Sequence, residues 1–477
     1  MKKKFGAAIA ASVMACTMAA SIAFSGCGAS KIPTFVMPEG GYDGSKVTIT
    51  FAATSGQTLR GQIETALARF NELYPNITVN LDTSKQSYDE LQKRIGTQLT
   101  SGKQPNVAFC YSDHIAQYNR SGAVVALDEY FLPGSKYDAI KVTPANGVEE
   151  SLGLTQAQVD NYIEAFYAEG SVYEDGHTYT LPFAKSTEVM YYNKTFFDAH
   201  ASEGLKVPTT WAEMEQACIK IREILDGDLT KYPFYYDSDA NWFITRCEQL
   251  NSGYTSIEPG KHFLFDNQAN HDFVATLRDW YSKGYFLTQA TNGDKYGSDY
   301  FKAQNCFMSI GSTGGAAYQQ GSGTNGVFAF DVGIAPVPQE NPATPKSILQ
   351  GPSVCIFKDN NPQKVIASWL LVKFLTTDVE FQGNYSISSG YIPVIKNVFE
   401  TTAYKRFLES GTLIARTAAT CKSLVDSGAF YTSPAFVGSS KAREQVELLM
   451  KQALTGTDIN KAFQSALSEC KYFAKSD

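Results

Sequence analysis

The pattern of apolar and polar positions first becomes regular at Val47-Thr48-Ile49-Thr50-Phe51, a β-rich segment that predicts a strand. A polar loop, Thr54–Gln57, follows. Ile63, Ala66, Leu67, Phe70 and Leu73 then recur at spacings of three and four, which place them on one face of a helix. Pro75 and Asn76 close that helix, and Ile77-Thr78-Val79-Asn80-Leu81 predicts a second strand. A helix from about Tyr88 to Leu99 leads through Gly102 to a third strand, Val107 to Cys110. Strands alternating with helices imply a parallel sheet of an α/β fold, and ligands of such sheets bind outside the carboxyl ends of the strands. Those ends carry the loops Thr54–Gln57, Ser84–Tyr88 and Tyr111–Asp113, which geometry alone nominates as one rim of a site.

The pattern resumes near Leu181 with a strand-like run that turns helical, and Pro208-Thr209-Thr210-Trp211 opens a new helix. Cys306–Ile310 predicts a short strand before the small-residue turn Gly311–Gly315. Val332–Pro336 and Val354–Phe357 predict two more strands, and residues 361–477 read as mostly helical. No repeat of 20–50 residues is present, which excludes a solenoid.

The N-terminus reads as an address. Lys2, Lys3 and Lys4 precede an apolar stretch, Phe5 to Phe24, and then Ser25-Gly26-Cys27, the order of a secretory signal peptide over residues 1–26. The stretch is long enough to span a bilayer, but its Ala, Ser and Thr content favours a cleaved signal over a retained transmembrane helix. Residues 27–45, rich in Gly, Pro and Ser, predict a flexible tether.

At 477 residues the chain is too long for one ordinary domain, so two lobes are expected. A composition 43% hydrophobic and 19% charged suits a globular protein with a sizeable core. Aromatics reach 13%, which fits either core filling or a pocket that stacks on the apolar faces of a polar ligand. The net charge is −7; without Lys2, Lys3 and Lys4 it becomes −10, from 38 basic and 48 acidic residues. With no basic cluster beyond the N-terminus, nucleic acid is excluded as a partner. Besides Cys16 and Cys27 there are seven scattered cysteines with no CxxC pair, which reads as buried thiols rather than a disulfide framework and suggests a reducing or anaerobic habitat.

Catalytic and metal signatures do not survive inspection. Gly321, Gly323 and Gly326 match GxGxxG but follow a helix and precede a strand, the reverse of a dinucleotide site. Gly96 to Lys103 resembles a P-loop with the wrong glycine spacing and with Gln104 in place of Ser or Thr. The chain has no GxSxG elbow and no HExxH, and its five histidines are dispersed. Asp237, Asp239, Asn241 and Glu248 echo a calcium loop, but Trp242 stands where the sharp turn needs Gly, and helix capping explains the same residues. No cofactor and no metal are expected.

The segments FNELYPNITVNL, TSGKQPNVAF, LPFAKSTEVMYYNKTFF, PTTWAEM, FKAQNCFMSIGS, DVGIAPVPQ and SGYIPV occur in an order that resembles extracellular solute-binding protein family 1, the sugar-binding receptors of ABC importers. Each is weak alone; together they span nearly all of the chain beyond the N-terminal segment, with the closest look to glycerol-3-phosphate and oligosaccharide receptors. Ser25-Gly26-Cys27 likewise resembles a bacterial lipobox, with Phe24 where Leu is usual, which implies Cys27 as a lipid anchor holding the protein to the outer face of the cell membrane.

The resemblance implies a two-lobe, type II periplasmic-binding-protein-like α/β fold, hinged by crossing strands with a ligand cleft between the lobes. The crossings fall near Ala184–Ser186 and Gln350–Ser353, which assigns 46–184 plus 351–395 to one lobe and 185–350 plus 396–477 to the other. By position it nominates Tyr88, Ser112 or Asp113, Ser186, Trp242, Ser312, Gly351 and Tyr391 as ligand contacts, with Trp242 the stacking ring. Asp113 also reads as the cap of a helix beginning at His114. Where phosphate-binding receptors carry a late Arg, this chain has Ala435 or a neighbour, which favours a neutral mono- or oligosaccharide over a phosphate ester. The expected protein is a monomeric receptor that hands its ligand to the permease subunits. The competing readings are a glycerol-3-phosphate or glycerophosphodiester receptor and, in another class, a secreted glycoside-processing enzyme with two carboxylates.

Overall fold

Two five-stranded sheets organise the chain. Their strands are β1 (Val47–Ala52), β2 (Ile77–Asp82), β3 (Val107–Cys110), β4 (Thr180–Pro182), β5 (Glu188–Asn193), β6 (Tyr232–Tyr236), β7 (Phe286–Thr288), β8 (Cys306–Ser312), β9 (Val332–Pro336) and β10 (Ser353–Ile356). The computed structural model describes residues 32–54, 56–84, 87–320 and 329–475. The predicted signal peptide, Cys16, Cys27 and the glycines at 321, 323 and 326 lie outside the described residues.

The first sheet has the order β2-β1-β3-β10-β4. Its β1, β2 and β3 run parallel, with Val47 opposite Ile77 and Phe51 opposite Val107. β10 returns antiparallel between β3 and β4, pairing Ser353 with Cys110 and with Pro182. The βαβ pattern read from the sequence is the pattern formed: helix α1 (Gln57–Leu73) links β1 to β2 and α2 (Tyr88–Thr100) links β2 to β3, with α3 (Ser112–Tyr118) following at once. The second sheet has the order β9-β5-β8-β6-β7, with β5 antiparallel to both neighbours and β6, β7 and β8 parallel. Against it pack α4 (Trp211–Ile224), α5 (Asp239–Leu250) and α6 (Ser439–Leu454).

Each sheet has its own core. In the first, helix Pro362–Thr377 is buried on nearly all sides, and Trp369 stacks on Phe131 at 4.5 Å while its Nε1 donates to the Leu152 carbonyl at 2.8 Å. In the second, Trp242 lies against Tyr236 at 4.7 Å and Phe286 at 4.9 Å. The seven cysteines from Cys110 onward are all buried and unpaired. No helix among the described residues is long and apolar enough to cross a membrane.

Two expectations about the chain's division change. The segment 27–45, read as a tether, is packed where it is described. Phe35 and Met37 belong to the first core, Phe35 sits 4.8 Å from the Tyr130 ring, and Tyr42 faces Tyr74. Its Gly and Pro content signalled flexibility, but three apolar side chains suffice to pin it. At the other end, Val398, Phe399 and Tyr404 join the first core rather than the second body to which a boundary at 396 would assign them.

Candidate functional site

The chain leaves the first sheet at Pro182 and enters the second at Glu188, and it returns between β9 and β10. The two crossings touch: Ser186 and Gln350 exchange backbone hydrogen bonds at 2.9 Å in both directions. Gly351 is tight here because it holds φ +88°, and a Cβ would lie 2.3 Å from the Ala184 carbonyl oxygen. Only glycine takes that conformation in that space without strain.

Beside the crossings lies a cavity of 380 Å³ lined from both bodies. The first body contributes the loops after β2 and β3. Ser87 caps α2 in a capping box, its Oγ accepting from the Glu90 N–H at 3.2 Å and its own N–H donating to Glu90 Oε2 at 2.8 Å. That cap starts the helix at Tyr88 and sets Tyr88 and Asp89 on the cavity wall. After β3, Tyr111, Ser112, Asp113 and His114 form the adjacent wall, with the Tyr88 and Tyr111 rings 4.9 Å apart. The second body contributes Asn241 and Ile244 from α5, Tyr254 and Thr255, and Arg443 and Glu447 from α6; residues 348–350 and 432–435 close the cavity.

Two buried glutamates underlie this lining. Glu169, 4% exposed, lines the cavity and accepts on Oε2 from the ammonium of the fully buried Lys185 and from Ser353 Oγ at 3.0 Å. Lys185 Nζ also donates to the Gly351 carbonyl at 3.0 Å and to Ser353 Oγ at 2.9 Å. Glu188, 3% exposed, accepts from the Tyr236 hydroxyl at 2.6 Å and from Asn241 Nδ2 at 2.7 Å, while Asn241 Oδ1 accepts from Arg443. Burial pushes the Glu188 carboxyl up to about 7, against the pull of those donors and of Arg443. Burial also lowers His114, which favours its neutral form, and raises the phenols of Tyr88 and Tyr391.

Of the residues nominated from sequence, Tyr88, Ser112 and Asp113 line the cavity. Ser112 begins α3, and Asp113 accepts from the His114 N–H at 3.0 Å. Ser186, Ser312, Gly351 and Tyr391 gather at the crossings: Ser312 Oγ donates to Ser186 Oγ at 3.4 Å, and the Tyr391 ring packs over Gly314. Trp242 is elsewhere. It is fully buried in the second core, and α5 reaches the cavity instead through Asn241 and Ile244. The start of the calcium-like run is likewise spent inside the fold: Asp237 accepts from the Gly297 N–H at 2.7 Å, and Ser238 caps α5 through the Asn241 N–H at 3.2 Å.

Sequence reasoning missed Glu169, Asn241 and Arg443. Ala435 does line the cavity, but a guanidinium is supplied from one helix further on, so the premise that this site lacks an arginine does not hold. Among the described residues Arg443 makes no salt bridge; its hydrogen bond is to Asn241. A helix that begins after Gly438 and carries Arg443 one turn in was the available signal.

A sequence profile of bacterial extracellular solute-binding proteins matches residues 65–408. The sn-glycerol-3-phosphate-binding periplasmic protein UgpB of Escherichia coli (strain K12) is 21% identical over 369 residues, 76% of this chain and 77% of that protein. Among solved structures, UgpB from Mycobacterium tuberculosis in complex with glycerophosphocholine superposes with a TM-score of 0.69 at 18% identity, over 90% of this chain and 99% of that one. The sugar-binding protein MalE from Xanthomonas citri superposes at 0.68 and 16% identity, over 90% and 98%. The GacH receptor of Streptomyces glaucescens, solved unliganded and with acarbose, gives 0.67 at 18%, over 90% and 97%. These likenesses establish the two-lobe fold.

Proposed function

Since the chain belongs to the bacterial extracellular solute-binding proteins, and is therefore a receptor rather than an enzyme, we propose that its cleft binds a neutral carbohydrate and delivers it to an ABC importer. The observation that supports this reading is the charge of the lining. Asp89, Asp113 and Glu447 stand against a single guanidinium, Arg443, and Glu169 is offset by Lys185. Carboxylates accept hydrogen bonds from hydroxyls, whereas a phosphate ester brings further negative charge to a wall already net negative. The neighbouring Tyr88 and Tyr111 rings offer apolar faces for the C–H surface of a sugar. Ligand contact from both bodies favours a closed form, so binding shifts an open–closed equilibrium. Small-angle scattering is expected to show compaction on saturation.

A second reading, a glycerol-3-phosphate or glycerophosphodiester receptor, draws support from Arg443, whose charge has no carboxylate partner among the described residues. A thermal-shift screen separates the two, run with maltose, maltotriose and other mono- and oligosaccharides beside glycerol-3-phosphate and glycerophosphocholine. A ligand at about 100 times its Kd adds roughly 2.7 kcal/mol of stability. A saccharide hit supports the carbohydrate reading; a hit only with the esters overturns it.

We further propose that Cys27 is lipidated and tethers a monomeric receptor to the membrane. Phe35, eight positions after Cys27, is packed in the first core. Cys27→Ser is expected to release the protein from the membrane fraction, and retention there would overturn the anchor.

A further inference from the structure

The crossings hold a charged group that the sequence did not nominate and that the family likeness does not assign. Resting on the carbohydrate reading, we propose that Glu169 is a ligand-binding residue, accepting a sugar hydroxyl on Oε1, and that Lys185 is its positioning residue.

The two carboxylate oxygens of Glu169 are used differently. Oε2 is saturated, taking the Lys185 ammonium and the Ser353 hydroxyl. Oε1 has no protein donor among the described residues, yet it is not sealed off, and Glu169 forms part of the cavity wall. A carboxylate that is nine-tenths buried, with one oxygen committed and the other open to the cavity, is an acceptor awaiting a donor. Burying a charge in this way is costly unless it is paired and hydrogen-bonded. Lys185 meets that cost. Its donors reach Glu169, the Gly351 carbonyl and Ser353 Oγ, so the carboxylate is tied to both crossings at once.

The pairing also defines what the acceptor suits. Lys185 leaves the pair neutral, so Oε1 offers strong hydrogen-bond acceptance without unbalanced charge. A sugar hydroxyl supplies the missing proton donor. An ionised phosphate oxygen carries no proton to donate and would face Oε1 as one acceptor against another.

The test uses the full chain and isothermal titration with the saccharide that gives the largest shift in the screen, together with its monodeoxy analogues. In Glu169→Gln the amide oxygen keeps the place facing Lys185 and Ser353, which turns the cavity-facing acceptor into a donor. We expect at least a tenfold loss of affinity for the parent sugar. For the one analogue that lacks the contacting hydroxyl, wild type and variant are expected to bind alike. Lys185→Gln is expected to collapse the same discrimination between parent and analogue, which a merely structural lysine would leave intact. Should either single variant fail to fold, the charge-free pair Glu169→Leu with Lys185→Met carries the same expectation. Parent affinity unchanged in a folded Glu169 variant overturns the assignment while leaving the carbohydrate reading in place. A screen in which no saccharide binds overturns both.

Discussion

Glu169 and Glu188 stand on opposite sides of the first crossing, one from each body, and both are removed from water. They are stabilised differently. Glu169 meets an ammonium in direct contact. Glu188 meets the neutral Tyr236 hydroxyl and Asn241 amide, with Arg443 one residue further away, and its carboxyl rises to about 7. The comparison teaches that a buried carboxylate can be held by a counter-charge, which makes it a fixed acceptor, or by dipoles, which leave it able to take up a proton near neutral pH. The cleft thus has an ion pair beneath its first-body floor and, beneath its second-body wall, a carboxyl raised to about 7 by burial.

The comparison breaks most readily at Lys185. Lys185→Ala strands the buried Glu169 charge and is expected to cost about 3–5 kcal/mol in chemical denaturation, whereas the charge-free double variant should lie close to wild type. Trp242→Ala in the second core is expected to cost a similar ~3–5 kcal/mol while leaving ligand affinity unchanged once folded. An affinity loss in a well-folded variant would return that ring to the site.

Glu188 supplies the pH arm. Its folded pKa, about 7, is raised above the ordinary 4.5, so the folded state holds the proton after the unfolded state has released it. Stability from this group is therefore full below about 4.5 and is lost as pH rises towards 7, by about 3 kcal/mol. Asp239, also raised by burial to about 7, acts in the same direction. Urea midpoints between pH 5 and 7.5 should fall, and Glu188→Gln should flatten the slope; an equal slope in the variant would remove Glu188 as its source. The smallest effect is Tyr236→Phe, which deletes one donor to Glu188. It should cost about 1–3 kcal/mol and move the pH midpoint upward.

The legible part of this protein was local. The alternation from Val47 to Phe51, the helical spacing from Ile63 to Leu73 and the short run before Cys110 are short-range patterns, and they determine a parallel βαβ unit whose strand ends must carry a rim. The loops that carry Tyr88, Ser112 and Asp113 were nominated for that reason, because they follow strands, and those three residues line the cavity. Trp242 shows where such reading stops. An aromatic ring is equally suited to a core and to a ligand face, and only packing against Trp211, Tyr236 and Phe286 decides between them.

The pairings of Glu169, Lys185, Asn241 and Arg443 were decided by the tertiary structure alone. Their partners lie as far as 202 residues away, the separation between Arg443 and Asn241. Phe35 and Met37 make the same point within a segment that composition marked as a leash. Local sequence carries the dihedral preferences and periodicity that choose an element. Which charge finds a counter-charge, and which oxygen is left open to the cleft, depends on long-range packing that no short window of the chain contains.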